Sequence, residues 1–158
     1  MKKLLFVLMI VTAVTTYSDA QVNPHAIGLR FGGDGTINGA EVSYQHGFSE
    51  KNRLELDFGV GGNRNEIRTK LVGMYHWDWN IAAGFNWFVG PGAGIGIYTH
   101  DDLDTWVNIA LGGQIGVEYD FNHLNVPILV SVDARPMWDF LGNPGFGWGA
   151  CLAVRYTW

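Results

Sequence analysis

The sequence predicts an all-β protein: an eight-stranded antiparallel up-and-down transmembrane β-barrel. Three observations predict it. Apolar residues recur at every second position through eight stretches. Residues that favour turns separate those stretches. The chain is also rich in aromatics (14%) and glycine (22 residues) but only 16% charged, where a soluble domain usually carries about a quarter.

In chain order, residues 1–20 read as a cleaved signal peptide. Lys2 and Lys3 form a basic start, and 4–14 is apolar but short for a spanning helix. Ser18-Asp19-Ala20 places small residues at the cut. Cleavage after Ala20 leaves 21–158 as the barrel domain. No Cys lies near the cut, so the signal is not of the lipoprotein kind.

The first strand, 26–33, sets Ile27, Leu29 and Phe31 against Gly28 and Arg30. In 38–48, Ala40, Val42, Tyr44 and Phe48 alternate with Glu41, Ser43, Gln45 and Gly47. In 52–61, Leu54, Leu56, Phe58 and Val60 alternate with Arg53, Glu55, Asp57 and Gly59. In 66–79, Ile67, Leu71, Tyr75, Trp77 and Trp79 oppose Arg68, Lys70, His76 and Asp78. In 87–98, Trp87, Val89, Ala93, Ile95 and Ile97 flank Gly90, Gly92, Gly94 and Gly96. The clearest stretch is 106–121. There Val107, Ile109, Leu111, Ile115, Val117, Tyr119 and Phe121 share one face, and Asn108, Ala110, Gly112, Gln114, Gly116, Glu118 and Asp120 the other. In 128–140, Ile128, Val130, Val132, Ala134, Trp138 and Phe140 oppose Ser131, Asp133, Arg135 and Asp139. The last stretch sets Phe146, Trp148, Ala150, Leu152, Val154, Tyr156 and Trp158 against Gly147, Gly149, Cys151, Ala153, Arg155 and Thr157. A helix would scramble these sets, whereas a strand separates them. Connections fall at Gly33-Asp34-Gly35, Ser49-Glu50-Lys51-Asn52, Gly62-Asn63-Arg64-Asn65, 82–86, 100–105, 122–125 and Gly142-Asn143-Pro144-Gly145. Eight strands of roughly ten residues suit the smallest barrels that span a bilayer, and an even number leaves both termini on one side.

A soluble lipocalin-like barrel alternates too, with its apolar face inward, so orientation needs separate argument. The polar face is partly glycine, which suits a narrow lumen better than a wet exterior. The apolar face is continuous, and lysine is scarce beyond the signal. Aromatics gather towards strand ends. Tyr75, Trp77, Trp79, Trp87, Tyr119, Phe121, Tyr156 and Trp158 are expected at a periplasmic rim. Phe31, Trp106, Trp138, Phe140, Phe146 and Trp148 are expected at the opposite one.

These features together resemble the small eight-stranded outer-membrane barrels, the class that includes the membrane domain of OmpA and OmpX. Tyr156 and Trp158 resemble the C-terminal signal read by the outer-membrane assembly machinery, although Ala153 stands where the commonest form has glycine. The stretch Asn86-Trp87-Phe88-Val89-Gly90-Pro91-Gly92-Ala93-Gly94 resembles one frequent in small barrels of Bacteroidota. The resemblance implies a cell outer membrane location in a Gram-negative bacterium, with outer-membrane lipid and that machinery as partners.

Charge and chemistry narrow the function. Removing Lys2, Lys3 and Asp19 from 10 basic and 15 acidic residues leaves 8 and 14, a formal net charge of −6. Nucleic-acid binding needs a basic footprint, which this chain lacks. The inward set of Arg30, Arg53, Arg68, Lys70, Arg135 and Arg155 with Glu41, Glu55, Asp57, Glu118 and Asp133 predicts a paired plug filling the lumen; the alternative is a narrow ion channel. No catalytic residue is assigned. Ser43 and Ser131 face inward and Ser49 lies in a turn. His25, His46 and His123 sit near the periplasmic end, and only His76 neighbours inward carboxylates such as Asp78. No strand carries an outward Ser–His pair aimed at lipid, which disfavours the remaining alternative, an outer-membrane lipid-modifying enzyme. His100-Asp101-Asp102-Leu103-Asp104 reads as an exposed acidic loop, not a calcium site. Cys151 reads as a space-filler, with no charged neighbour in sequence to activate it. No metal or cofactor is expected. The favoured role is structural or accessory in the envelope, with a larger outer-membrane complex as a further partner.

Overall fold

Every backbone donor in a strand needs an acceptor, and a ring of strands supplies one without leaving an edge. That is the solution this chain adopts. The computed structural model describes residues 22–33, 38–63, 66–100, 105–141 and 144–158. The signal peptide, Asp34 and Gly35 of the first loop, Arg64 and Asn65, the acidic residues 101–104, and Gly142 and Asn143 lie outside the described residues.

The strands are β1 (His25–Gly33), β2 (Asn38–Ser49), β3 (Asn52–Asn63), β4 (Glu66–Ala82), β5 (Phe85–His100) and β6 (Thr105–Asp120). A short 3₁₀ turn (Phe121–Leu124) leads to β7a (Ile128–Ala134) and β7b (Met137–Asp139). The last stave is β8a (Gly145–Gly147) and β8b (Ala150–Thr157). Each strand pairs antiparallel with the next, and β1 pairs with β8b from Ala26↔Thr157 to Gly32↔Cys151, which closes the ring. The protein is thus the expected closed eight-stranded antiparallel barrel.

The break in the seventh stave has a chemical cause. Pro136 has no N–H to give the ladder. Its carbonyl still accepts from the Gly113 N–H (3.0 Å), and the Arg135 N–H donates to the Gly149 carbonyl (3.0 Å). The pairing with β6 resumes without a slip, from Ile115↔Ala134 to Gly112↔Met137. So β7a and β7b act as one stave.

Two glycines are dictated by geometry. Gly84 ends the two-residue turn between β4 and β5 with φ +74°, and a Cβ there would lie 2.5 Å from the His123 ring. Gly90 presses against β4 so closely that a Cβ would stand 1.6 Å from the Tyr75 carbonyl oxygen. The β4–β5 turn is tighter than the expected 82–86 connection, because β4 runs to Ala82 and β5 starts at Phe85.

The two faces separate as the alternation predicts. Ile27, Leu29, Val42, Phe58, Leu71, Ile95, Ile109, Val132 and Val154 are exposed on the outside, while Arg30, Glu55, His76, Arg135 and Arg155 are fully buried inside. The turn-side rim carries linked rings: Phe48 on Tyr75, Tyr75 on Trp77, Trp79 stacked on Trp87 at 4.5 Å, and Tyr156 beside Trp158. Phe31, Trp138, Phe140, Phe146 and Trp148 are exposed at the other rim. Trp106 corrects one expectation. It has the parity of the buried Asn108 and Ala110, so it faces the lumen and meets Tyr98 edge-on at 6.2 Å.

Candidate functional site

Closing the ring turns inward positions from different strands towards one another across a narrow space. The guanidiniums of Arg30, Arg53, Arg135 and Arg155 are buried there and need acceptors. Arg30 on β1 reaches Glu41 on β2 and Asp133 on β7a, both at 2.5 Å. Arg135, between β7a and β7b, lies against Asp57, Glu55 (3.3 Å) and Glu41 (3.4 Å). Arg155 on β8b donates to Glu55 (2.9 Å), Ser43 (2.9 Å) and Ser131 (2.8 Å).

Glu55 on β3 is the hub. Its carboxylate accepts from Arg155, Arg135, Gln45 (2.6 Å) and Gln114 (3.1 Å), which come from four different staves. A bidentate acceptor held by two guanidiniums and two amides is among the stronger polar arrangements a protein can build.

Nearer the turn-side mouth lies a second cluster. Arg53 binds Glu118 (2.7 Å) and Asp78 (3.2 Å), stacks on Phe88 at 4.8 Å, and donates Nε–H to His76 Nδ1 at 3.3 Å. His76 was expected beside Asp78; both are held by Arg53, which stands between them in the network. Asn23 extends over this end, donating to Asp120 at 2.8 Å, while Asn122 bonds Thr157 at 2.8 Å. A polar cavity of about 550 Å³ opens there, lined among others by Asn23, Asn80, Asn86 and Asp120.

On the loop side of the Arg135 cluster the lining turns apolar. Val72, Met74, Ala110 and Met137 form a buried cluster inside the barrel. Ala110 keeps the inward face read for 106–121, whereas Val72, Met74 and Met137 share inward parity but, as apolar residues, do not stand out in the sequence. Glycine makes room for them: a Cβ on Gly92 would stand 2.1 Å from the Met74 sulfur, and one on Gly112 would stand 2.6 Å from that of Met137. Lys70 and Asp139 follow beyond, 3.8 Å apart.

The components considered for catalysis stay apart. Ser43 and Ser131 share Arg155, Ser49 bonds Asn52 at the turn, and no hydrogen bond joins a serine to a histidine among the described residues. Cys151 is buried with its thiol 3.4 Å from the Gly33 carbonyl. His25 and His46, 21 positions apart, meet on the outer face. Only the β1–β2 register, not sequence proximity, brings them opposite.

Fold and interior together define the class: a small closed eight-stranded antiparallel barrel, apolar outside and ion-paired within. No protein-family model matches the sequence, and no curated protein matches it. Among solved structures, the N-terminal β-barrel domain of OprF from Pseudomonas aeruginosa is similar at TM-score 0.67 and 15% identity, over 85% of this chain and 96% of that one. Neisserial surface protein A is similar at TM-score 0.56 and 15% identity, over 85% and 94%. Ail, the attachment invasion locus protein of Yersinia pestis, is similar at TM-score 0.52 and 10% identity, over 85% and 96%. At such identities the likeness is one of fold.

Proposed function

We propose that the chain is an integral protein of the cell outer membrane of a Gram-negative bacterium. Its role is structural or accessory and non-catalytic, with a lumen plugged by its ion-pair network. The single observation that carries this reading is the inversion of a soluble core. The outer face bears the aliphatic and aromatic residues, and the buried face bears the arginines and carboxylates. Hydrocarbon accepts the first surface and water does not, while a closed ring leaves no unpaired backbone in lipid.

Residues 1–20 act as a removable export signal in this reading. The C-terminal aromatics Tyr156 and Trp158 engage the assembly machinery during insertion. Outer-membrane lipid covers the belt, and a larger envelope complex is the further partner. The plug follows from the number of staves: eight leave interior space only for side chains, and here those side chains bond one another.

Heat-modified gel migration of the purified, detergent-folded chain, together with planar-bilayer recording, tests both parts. A migration shift on boiling and electrically silent bilayers are expected. Folding in water without detergent and without a heat shift would overturn the membrane reading. Discrete conductance steps from folded protein would replace the plug with a narrow channel.

A further inference from the structure

His25 opens β1 and His46 lies near the end of β2, directly opposite it in the register. Both point outward and both are half-buried, at the turn-side end of the barrel. Their Nδ1 atoms stand 3.4 Å apart, and the Tyr44 hydroxyl lies 2.9 Å from His25 Nδ1. The pair is fixed by packing, with His25 against Trp158 at 5.4 Å and His46 edge-on to Phe48 at 5.1 Å.

Two heteroatoms thus crowd His25 Nδ1, and hydrogen bonding serves both poorly. A ring nitrogen has one in-plane position, either a lone pair or an N–H. His25 Nδ1 faces two neighbours with that single position. His123 offers the contrast within the same chain: its Nδ1 lies 2.6 Å from the Asp120 carbonyl and its Nε2 3.2 Å from the Tyr119 hydroxyl, one partner for each nitrogen.

A metal ion would use all three atoms at once. With metal–nitrogen bonds of about 2.0–2.1 Å, two imidazoles at tetrahedral positions hold their nitrogens about 3.3–3.4 Å apart. The His25–His46 separation matches that edge. Imidazole selects zinc and copper over calcium or magnesium, and copper binds most tightly in the divalent series. Among the described residues no group of three His, Cys, Asp or Glu side chains converges for a metal, so the donor set is two imidazoles and a phenol.

We propose that His25 and His46, with Tyr44 as third donor, bind a divalent transition-metal ion, Zn²⁺ or Cu²⁺, on the outer face of the turn-side rim. The fourth position is open to water. The site clips β1 to β2 at the chain's entry into the barrel, and it stands whether or not the lumen conducts.

The test is Cu²⁺ titration of the full detergent-folded chain without a histidine tag, read by electron paramagnetic resonance and electron spin-echo modulation. One equivalent of bound copper with two imidazole nitrogens is expected. His25→Gln and His46→Gln should each weaken binding at least tenfold, Tyr44→Phe severalfold, and His123→Gln not at all. Heat-shifted migration verifies that each variant is folded. No stoichiometric copper site in the wild-type chain, or a single-nitrogen signal, overturns the proposal without need of any variant. So does affinity that falls only in His123→Gln.

Discussion

At the scale of single residues, Glu55 bears the greatest concentration of polar contacts, so its neutralisation should be the most informative change. Glu55→Gln keeps the shape but sets an amide donor against two guanidiniums already buried. Breaking one partner of a buried pair costs about 3–5 kcal/mol. A loss of that size is expected in urea unfolding from lipid vesicles; a loss within error of zero would mean that Arg135 and Arg155 are solvated in the lumen. Glycines offer a steric contrast. Gly90→Ala drives a methyl into the Tyr75 carbonyl and should cost about 1–3 kcal/mol. Gly145→Ala meets nothing within 4 Å, and its change should stay within about 0.5 kcal/mol by the same measurement. Much of this residue-level picture is legible in sequence, because parity alone puts Arg30, Glu55 and Arg155 inside. Their partners are not. Arg30 meets Asp133 across 103 positions, a pairing that depends on ring closure. The Met74 and Met137 cluster was also hidden, since a methionine in an inward position looks like any apolar residue until a facing glycine shows where it fits.

At the scale of elements, the alternation places the strands within a few residues of their ends. What it misses has local causes. Pro136 splits the seventh stave without changing its register, and two-residue chemistry at Ala83-Gly84 lets β4 and β5 run longer than their apolar stretches. Trp106 groups with the rim aromatics by its place near a strand end, while its parity turns it inward. The lipid-facing reading of these staves makes a graded prediction. Val154→Arg, midway along β8b, should cost about 2–4 kcal/mol on folding into lipid, and Phe146→Arg near the rim only about 0–1 kcal/mol. Equal small costs at both positions would argue that the outer face is wet. The final strand supports a separate test in cells. Trp158→Ala should reduce the assembled, heat-shifted fraction in the outer membrane while folding in detergent stays intact. Unchanged assembly would remove Trp158 from the assembly signal.

At the scale of the whole molecule, closure makes stability a property of the ring. Deleting residues 150–158 removes the partner of both β1 and β7a. No shorter barrel is expected from it; the chain should lose its heat-shifted band altogether and aggregate through its unpaired edges. A retained shift would show that seven staves can close. The likeness to OprF, NspA and Ail at 10–15% identity belongs to this scale as well. A ring of alternating staves constrains which kind of residue faces which way and leaves its identity free, so very different sequences can share the architecture.

The seam between the first and last staves also gives the molecule a mechanical character. In an open sheet, a tug on the outermost strand unzips one ladder. Here β1 is gripped on both sides, through seven paired positions with β8b and nine with β2. Drawing it out requires two zippers to part together, and the first to part exposes bare backbone to hydrocarbon. A pulling force should therefore meet its highest resistance at the start, with the remaining staves following in sequence once the hoop is cut.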